Sequence, residues 1–496
     1  MPDPLQSLVA HYLSTNYPSV LPSFLEASHL PAPDPSNPPT PDLRTLVEDY
    51  LSSRLAEDLH NASLGQGDTE MGADTDMGPA NDGSWRGWTH KEMMKVTMDP
   101  RVKLEGVKRN IEGVSAMNLL TVGEAKLPKR VFDTSTASYV ASYPSSIITT
   151  SVDKTLKIID YHTGEVDRIL EPHKAAVLSF AIHPLNPRYL LTGSMDGTTV
   201  LTDLITNEPL QTFRSQKFVV RVAFSADGRY MATASYDHHI VLYHAVGPAT
   251  PEPLSEDDIP LDESDDPLLA SEPMLRYEEV HRVKVDSNPE SIIFHPQSTY
   301  LMYTVRSSHL LYYLRLHQPS GSPLGPRSWE TITKSFNPHP MDNHVSFSVL
   351  NMALHPSGKI IACQTGDHRG NAGERILLYG VEPEETERLG VLWTGSEGDN
   401  FVLPRMAWLP DGSGIVTTTP NGYLNLLTLA GETRSSVKIH GASNLGQASS
   451  DVVRDCVVVP VSGPASSDED MQGGADVSTG WEVISVGYDR QVRISR

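Results

Sequence analysis

The chain has 496 residues, 39% of them hydrophobic, and a formal net charge of -23 at pH 7. That length allows one large domain plus an appendage, or two to three domains. The negative balance argues against a general nucleic-acid binder, because phosphate neutralisation needs a surplus of Lys and Arg. Two cysteines, Cys363 and Cys456, are too few for a disulfide-stapled secreted scaffold. The N-terminal MPDPLQSLVAHYL has no basic n-region of a signal peptide, and no apolar run reaches the length of a membrane span. The expectation is a soluble protein of the cytoplasm or nucleus, without membrane insertion.

In chain order, the first predicted element is helical. In LQSLVAHYLSTNYPSVLPSFLEAS (5–28), Leu5, Leu8, Tyr12 and Leu13 share one face by i, i+3, i+4 spacing. Tyr17-Pro18-Ser19 breaks the helix. Ser19 can cap a second short helix carrying Phe24 and Leu25, with Pro22 in its first turn, where a missing N–H does no harm. Leu5, Leu8, Tyr12, Leu13, Tyr17, Phe24 and Leu25 resemble the LisH motif, a short helical dimerisation element. Asn16 stands where that family has Gly, and Leu21 where it has Ala. The resemblance implies a homodimer through residues 1–30. After a Pro-rich stretch, Thr40 and Pro41 open an amphipathic helix over 40–60, with a stripe of Leu43, Leu46, Val47, Tyr50, Leu51, Leu55 and Leu59. Two helical elements in so few residues cannot build a stable core alone, which favours pairing between chains. Residues 61–114 are expected to be a flexible linker, in which Trp85 and Trp88 read as an anchor docking the linker onto the downstream domain.

From 115 onward the chain repeats. Asp153 in SVDKTLKIID, Asp196 in SMDGTTVLTD, Asp237 in SYDHHIVLYH and Asp489 in GYDRQVRIS each sit between short runs rich in Val, Ile, Leu, Thr and Tyr; the first three are 43 and 41 residues apart. This is strand-turn-strand, and Asp suits such a turn because its carboxylate can accept backbone N–H bonds. FAIHPLNPRYL, FSADGRYM, FHPQSTYLM, LHPSGKII and WLPDGSGIV mark the junction of a first and a second strand. With the insertion 246–275 removed, a period of about 40–45 residues returns, that of a four-stranded propeller blade. The region 115–496 thus resembles a WD40-type β-propeller. The family's Trp-Asp pair is replaced by Ile159-Asp160, Thr202-Asp203 and Tyr243-His244, and its structural His is matched by His173. First strands starting near 136, 175, 218, 288, 347, 402 and 450 give seven blades. The expected fold is an all-β seven-bladed propeller with an α-helical LisH-like appendage. A segment within 117–132 is expected to supply the outer strand of the last blade and close the ring.

No nucleotide-binding Gly loop, CxxC pair or HExxH occurs. His183, His295 and His355, each followed by Pro, read as turn residues rather than metal ligands, because they fall in separate blades. No metal or other cofactor is expected. The insertion PEPLSEDDIPLDESDDP (251–267) carries eight acidic residues and no basic one, so it must be a solvated loop. Ser255, Ser466 and Ser467 precede acidic runs and are candidate sites for an acid-directed kinase.

Aligned on their terminal turns, the first strands carry Ser179, Arg221, Ser291, Asn351, Arg405 and Arg454 at one position and Ala181, Ala223, Ile293, Ala353, Ala407 and Cys456 two residues later. Large apolar side chains lie between, a strand alternation. This puts Arg221, Asn351, Arg405 and Arg454 near the channel mouth as candidate partner-binding residues for an acidic or phosphorylated peptide. The competing reading pairs each Arg with an interblade carboxylate. The functional expectation is a non-catalytic scaffold presenting two linked propellers to protein partners; the alternative is a propeller-fold hydrolase with its active site in the channel.

Overall fold

The computed structural model describes residues 10, 13, 14, 21–28, 33, 85 and 87–496, except 134–137, 248–274, 317–328, 338–343, 346, 368–371, 397–401, 403, 404, 442–450 and 462–479. The chain divides into two compact units, 1–77 and 78–496. In the first, helix α1 (Leu21–Ser28) has Leu21 and Leu25 half-buried, as is Leu13. Leu5, Leu8, Tyr12 and Tyr17, the side chain of Phe24, and the predicted helix 40–60 lie outside the described residues, as do the acidic loop and Ser255, Ser466 and Ser467.

The second unit opens with Trp85 and a one-turn helix α2 (His90–Met93), followed by strand β1 (Val107–Ile111). Seven four-stranded antiparallel sheets then form a ring. Blade 1 is β2 (Leu119–Lys126), β5 (Ser145–Ser151), β6 (Leu156–Asp160) and β7 (Val166–Leu170), with a separate hairpin, β3 (Lys129–Asp133) and β4 (Ser138–Ser142), between its first two strands. Blade 2 is β8 (Val177–Ile182), β9 (Tyr189–Ser194), β10 (Thr198–Asp203) and β11 (Glu208–Arg214). Blade 3 is β12 (Val219–Phe224), β13 (Tyr230–Ser235), β14 (His239–Val246) and β15 (Arg276–Lys284). Blade 4 is β16 (Pro289–Phe294), β17 (Tyr300–Val305), β18 (Leu310–Arg315) and β19 (Thr331–Ser335). Blade 5 is β20 (Phe347–Leu354), β21 (Ile360–Asp367), β22 (Ala372–Gly380) and β23 (Arg388–Trp393). Blade 6 is β24 (Met406–Trp408), β25 (Gly414–Thr418), β26 (Tyr423–Thr428) and β27 (Thr433–Lys438). Blade 7 is β28 (Val453–Val461), β29 (Gly480–Gly487) and β30 (Val492–Ser495), completed by β1.

Closure therefore uses 107–111, not a segment of 117–132. Val107 pairs with Ser495 and Ile111 with Val492, while 119–126 is the innermost strand of blade 1. Two features hid this. The closing strand VKRNI is mostly exposed, as an outer strand is, so it has no apolar alternation and reads as linker. The hairpin strand SYVAS (138–142) imitates a first strand near 136. The propeller accordingly starts before 115, inside the stretch 61–114 that was expected to be linker.

Each joint between neighbouring blades holds its own apolar cluster. Val222 and Met231 lie between blades 2 and 3, Ile292 and Ala232 between 3 and 4, and Met352 and Tyr313 between 4 and 5. The N-terminal segment crosses three successive joints. Met93, with Trp85 and Trp88, packs at the joint of blades 5 and 6; Met98 and Leu104 at that of 6 and 7; Ile111 and Val114 at that of 7 and 1. A capping box of Thr89 and Glu92 starts α2. Lys359 Nζ donates to the carbonyls of Trp85 (3.2 Å) and Trp88 (2.9 Å), and Trp85 meets His355 edge-on at 4.9 Å. The Trp85–Trp88 anchor thus sits on blades 5 and 6.

Candidate functional site

The turns between second and third strands form one face of the ring, and in blades 1, 2, 3 and 7 an Asp of the turn is a backbone acceptor. Asp153 accepts from Thr155 N (3.0 Å), Asp196 from Thr198 N (2.8 Å), Asp237 from His239 N (3.1 Å) and Asp489 from Gln491 N (3.3 Å). His173 bonds Thr192 and Thr198, both at 2.8 Å. His440 repeats this arrangement in blade 7, bonding Asp489 at 2.8 Å and Ser485 at 2.9 Å. Sequence reasoning missed His440. Its His-Gly pair stands 49 residues before Asp489, but two insertions hide the repeat.

The innermost strands also begin at this face, and they share an irregularity. In six of the seven described blades the pairing register slips by one residue near the start of the innermost strand, at Leu120, Leu178, Val220, Glu290, Leu350 and Arg454. A bulge lets two consecutive side chains face the same way, so the axial channel is lined in two layers. The outer layer bounds a 370 Å³ cavity with Leu120, Leu178, Val220, Arg221, Glu290 and Arg454, and with Met195, Phe218, Tyr236 and Arg306 at its rim. The inner layer bounds a 290 Å³ cavity reached by Thr121, Ser179, Arg221, Asn351, Arg405 and Asp455. Arg221 and Leu178 belong to both.

All four predicted residues, Arg221, Asn351, Arg405 and Arg454, thus line the channel, but the register of blade 7 differs from expectation. Asp455, paired with Val486, holds the place that Arg221, paired with Ala234, holds in blade 3. Arg454 occupies the bulge position instead, and Cys456 the apolar position of Val222. The inner strand of blade 7 runs on to Val461, so an alignment on its terminal turn slips by one.

Arg405 Nε lies 3.6 Å from Asp455, with the Arg405 side chain 8% exposed. Arg405 therefore has the interblade carboxylate of the competing reading. Among the described residues Arg221 has none: it donates from Nη1 to the carbonyl of the adjacent Val220 at 3.0 Å. Glu290, 1% exposed, meets Arg306 Nε at 2.6 Å. Glu290, Arg306 and Asp455 were not singled out from the sequence: Glu290 sits at a bulge that breaks the alternation, Arg306 lies in a turn, and Asp455 was displaced by the slipped alignment of blade 7.

Burial lowers the Arg221 and Arg405 pKa values, and the neighbouring guanidinium groups lower them further; burial raises those of Glu290 and Asp455. Charge reversal at Arg405 would set a second carboxylate against Asp455, so it should destabilise the fold rather than isolate binding. Arg221 has no carboxylate contact of this kind among the described residues.

The three His-Pro histidines are buried turn residues on the opposite face. His183 Nδ1 accepts from Asn186 N (3.1 Å) and its Nε2 faces Gly228 of the next blade. His355 Nδ1 accepts from Ser357 N (3.0 Å), and its Nε2 donates to the Gly412 carbonyl at 3.3 Å. Gly228 and Gly412 have φ of +66° and +69°, and a Cβ at either would sit within 2.3 Å of the imidazole. His295 reaches Glu382 at 3.2 Å. Among the described residues no three His, Cys or acidic groups converge on a metal-sized site.

Burial pushes the pKa of His183 and of His355 down to about 4. The unfolded chain binds these protons near 6.5, so stability is complete above that pH and is lost as pH falls through 6.5 toward 4. Each shift corresponds to about 3 kcal/mol at neutral pH. Urea midpoints measured between pH 7.5 and 4.5 should fall steeply, and His183→Ala with His355→Ala should flatten the slope.

The WD domain, G-beta repeat family matches residues 164–203 and 207–244. Each match opens at or before an outer strand and runs through the first three strands of the next blade. The chain carries WD40 repeats within a seven-bladed β-propeller. Over 111 residues, 21% of this chain and 18% of the relative, it is 28% identical to Protein tipD of Dictyostelium discoideum. Over 108 residues, 22% of this chain and 13% of the relative, it is 30% identical to Protein SPA1-RELATED 3 of Arabidopsis thaliana. The aligned part spans less than a fifth of either relative.

Proposed function

We propose that the protein is a non-catalytic interaction scaffold of the cytoplasm or nucleus. Its propeller captures acidic segments of protein partners at the arginine-lined channel mouth, and its LisH-like element pairs two chains. The observation that supports this reading most is the charge of the channel. Among the described residues, four guanidinium groups (Arg221, Arg306, Arg405, Arg454) and two carboxylates (Glu290, Asp455) line it, in a chain whose net charge is -23. A positive cleft in an acidic protein focuses field on acidic ligands and repels basic ones. Two linked mouths would raise avidity for a multivalent partner without any new contact.

The test of the assembly is sedimentation of the full chain beside a chain lacking residues 1–60. The full chain should sediment as a dimer and the shortened one as a monomer; a monomeric full chain would refute the LisH-like pairing. Affinity purification with each chain tests the scaffold reading. Multivalent partners should be depleted from the shortened chain, and capture of no protein by either would remove the reading.

A further inference from the structure

We propose that Asn421 is a self-modification site: its side-chain amide is displaced by the backbone amide of Gly422, and the folded ring keeps the α-linked Asp that results. The change adds a negative charge to the face that carries the channel mouth, and it needs neither a partner nor an enzyme.

Three observations carry it. The first is the pair and its place. Asn421-Gly422 is the only Asn-Gly in the chain. It lies in the tight turn between β25 and β26 of blade 6. Asn421 is exposed, and no hydrogen bond holds its side chain among the described residues. A following glycine, with no Cβ, leaves the backbone nitrogen unshielded. Gly422 has a φ of +90°, and a Cβ there would sit 2.1 Å from the His440 carbonyl oxygen. Packing thus imposes the glycine that makes its neighbour labile.

The second is the nucleophile. The Gly422 nitrogen gives up its proton and attacks the side-chain carbonyl carbon of Asn421, and ammonia leaves. Water then opens the cyclic imide at either of its carbonyls, to Asp or to isoaspartate, so that a water is taken up for the ammonia released. A hydrogen bond from the attacking N–H opposes the first step, because it must be given up before the nitrogen can react. The Asp-Gly pairs of the described residues, which could close the same ring, all carry such a bond. Gly197 N donates to the Ser194 carbonyl (3.2 Å), Gly228 N to that of Ser225 (2.9 Å) and Gly412 N to that of Leu409 (2.9 Å). Gly422 N makes none among the described residues.

The third is the fit of the product. Blades 1, 2, 3 and 7 hold an Asp in this turn, and each of Asp153, Asp196, Asp237 and Asp489 directly precedes a residue of positive φ: Lys154, Gly197, His238 and Arg490. Asn421 stands in the same relation to Gly422. An Asp at 421 therefore repeats what four other turns of the ring already accommodate. Isoaspartate would instead route the backbone through an extra atom ahead of Gly422, where the chain is held. The Gly422 carbonyl accepts from Ile439 N (2.8 Å) and His440 N (3.0 Å), and His440 in turn bonds Asp489 and Ser485 of blade 7.

The experiment incubates the full chain in heavy-oxygen water, natively and in urea, and follows each Asn and Asp-Gly peptide by mass spectrometry. Chromatography separates the Asp and isoaspartate forms, and enzymatic methylation of the isoaspartyl carboxylate identifies the latter. In the native chain the Asn421 peptide should be lost before that of any other described Asn. Heavy oxygen should enter at 421 and not at Asp196, Asp227 or Asp411. The loss should quicken as pH rises, because the attacking nitrogen must shed its proton. The native product should be mainly Asp and the urea product mainly isoaspartate. Asn421→Gln, whose longer side chain closes the ring poorly, should stop the labelling, and Asn421→Asp should melt with the parent. An Asn421 peptide that outlasts other described Asn peptides would overturn the proposal, as would equal labelling of the three Asp-Gly pairs. Mainly isoaspartate in the native chain, or a lower melting temperature for Asn421→Asp, would overturn the retention of Asp. The labelling and product readings come from the unaltered chain, so they decide the matter where a variant fails to fold.

Discussion

A chain beginning at residue 115 is expected to lose cooperative thermal unfolding, whereas a chain beginning at residue 78 is expected to melt with the full-length protein. The shorter chain lacks β1, so β30 loses its outer partner and the last blade loses the strand that ties it to the N-terminal side of the ring. It also lacks Met93, Met98, Leu104, Ile111 and Val114, all 8% exposed or less, from three consecutive blade joints. Burial of each such side chain is worth about 1.5–3 kcal/mol, so their joint loss is of order 10 kcal/mol, comparable to the whole stability of a typical domain. Calorimetry of the two chains decides it. A sharp transition in the chain starting at 115 would mean that the 85–114 segment is dispensable.

Asp203→Ala is expected to destabilise the propeller by about 3–5 kcal/mol. The Asp203 carboxylate is fully buried and holds Arg188 through two parallel bonds, Nε to Oδ1 at 2.7 Å and Nη2 to Oδ2 at 2.8 Å. It also accepts from Ile205 N at 3.0 Å and from the Thr206 hydroxyl at 3.1 Å. Removing it takes the bidentate carboxylate from a guanidinium that is 4% exposed at the joint of β9 and β10. Because the penalty comes from a buried charge losing that carboxylate, Arg188→Met together with Asp203→Leu should recover most of the loss. Urea denaturation of the three proteins measures this. A single mutant as stable as the parent would show that the pair contributes little.

Much of the ring was legible because each blade repeats a few local rules. Asp196 and Asp237 mark tight turns, the His-Pro and Asp-Gly junctions mark the opposite turns, and Val, Ile and Thr fill the strands between. The large apolar side chains that alternate with the small series, Phe180, Val222, Ile292 and Met352 among them, marked the innermost strands, and the structure packs these four against apolar clusters. What stayed hidden depends on pairing between distant segments. Val107–Ile111 has no pattern of its own, and only its partner Val492–Ser495 explains it. The bulges that bring Glu290 and Arg454 into the channel leave no mark in a single strand, because a register slip is a property of two. Arg306 reaches the mouth from a turn, where no periodicity applies. His440 illustrates the remaining class: its chemistry is ordinary for this fold, but insertions place it beyond the expected repeat distance.

The central claim, that the arginine-lined mouth is where partners are held, is tested most directly at Arg221. This residue lacks the carboxylate partner that ties Arg405 into the fold, and it belongs to both cavities. The measurement is quantitative affinity purification of the full chain and of Arg221→Glu at matched expression, with the melting temperature of each purified protein determined alongside. Captured partners should fall about tenfold or more while the melting temperature stays within about 3 °C. A folded Arg221→Glu protein that retains its full set of partners would contradict it, and would place the binding face elsewhere on the propeller.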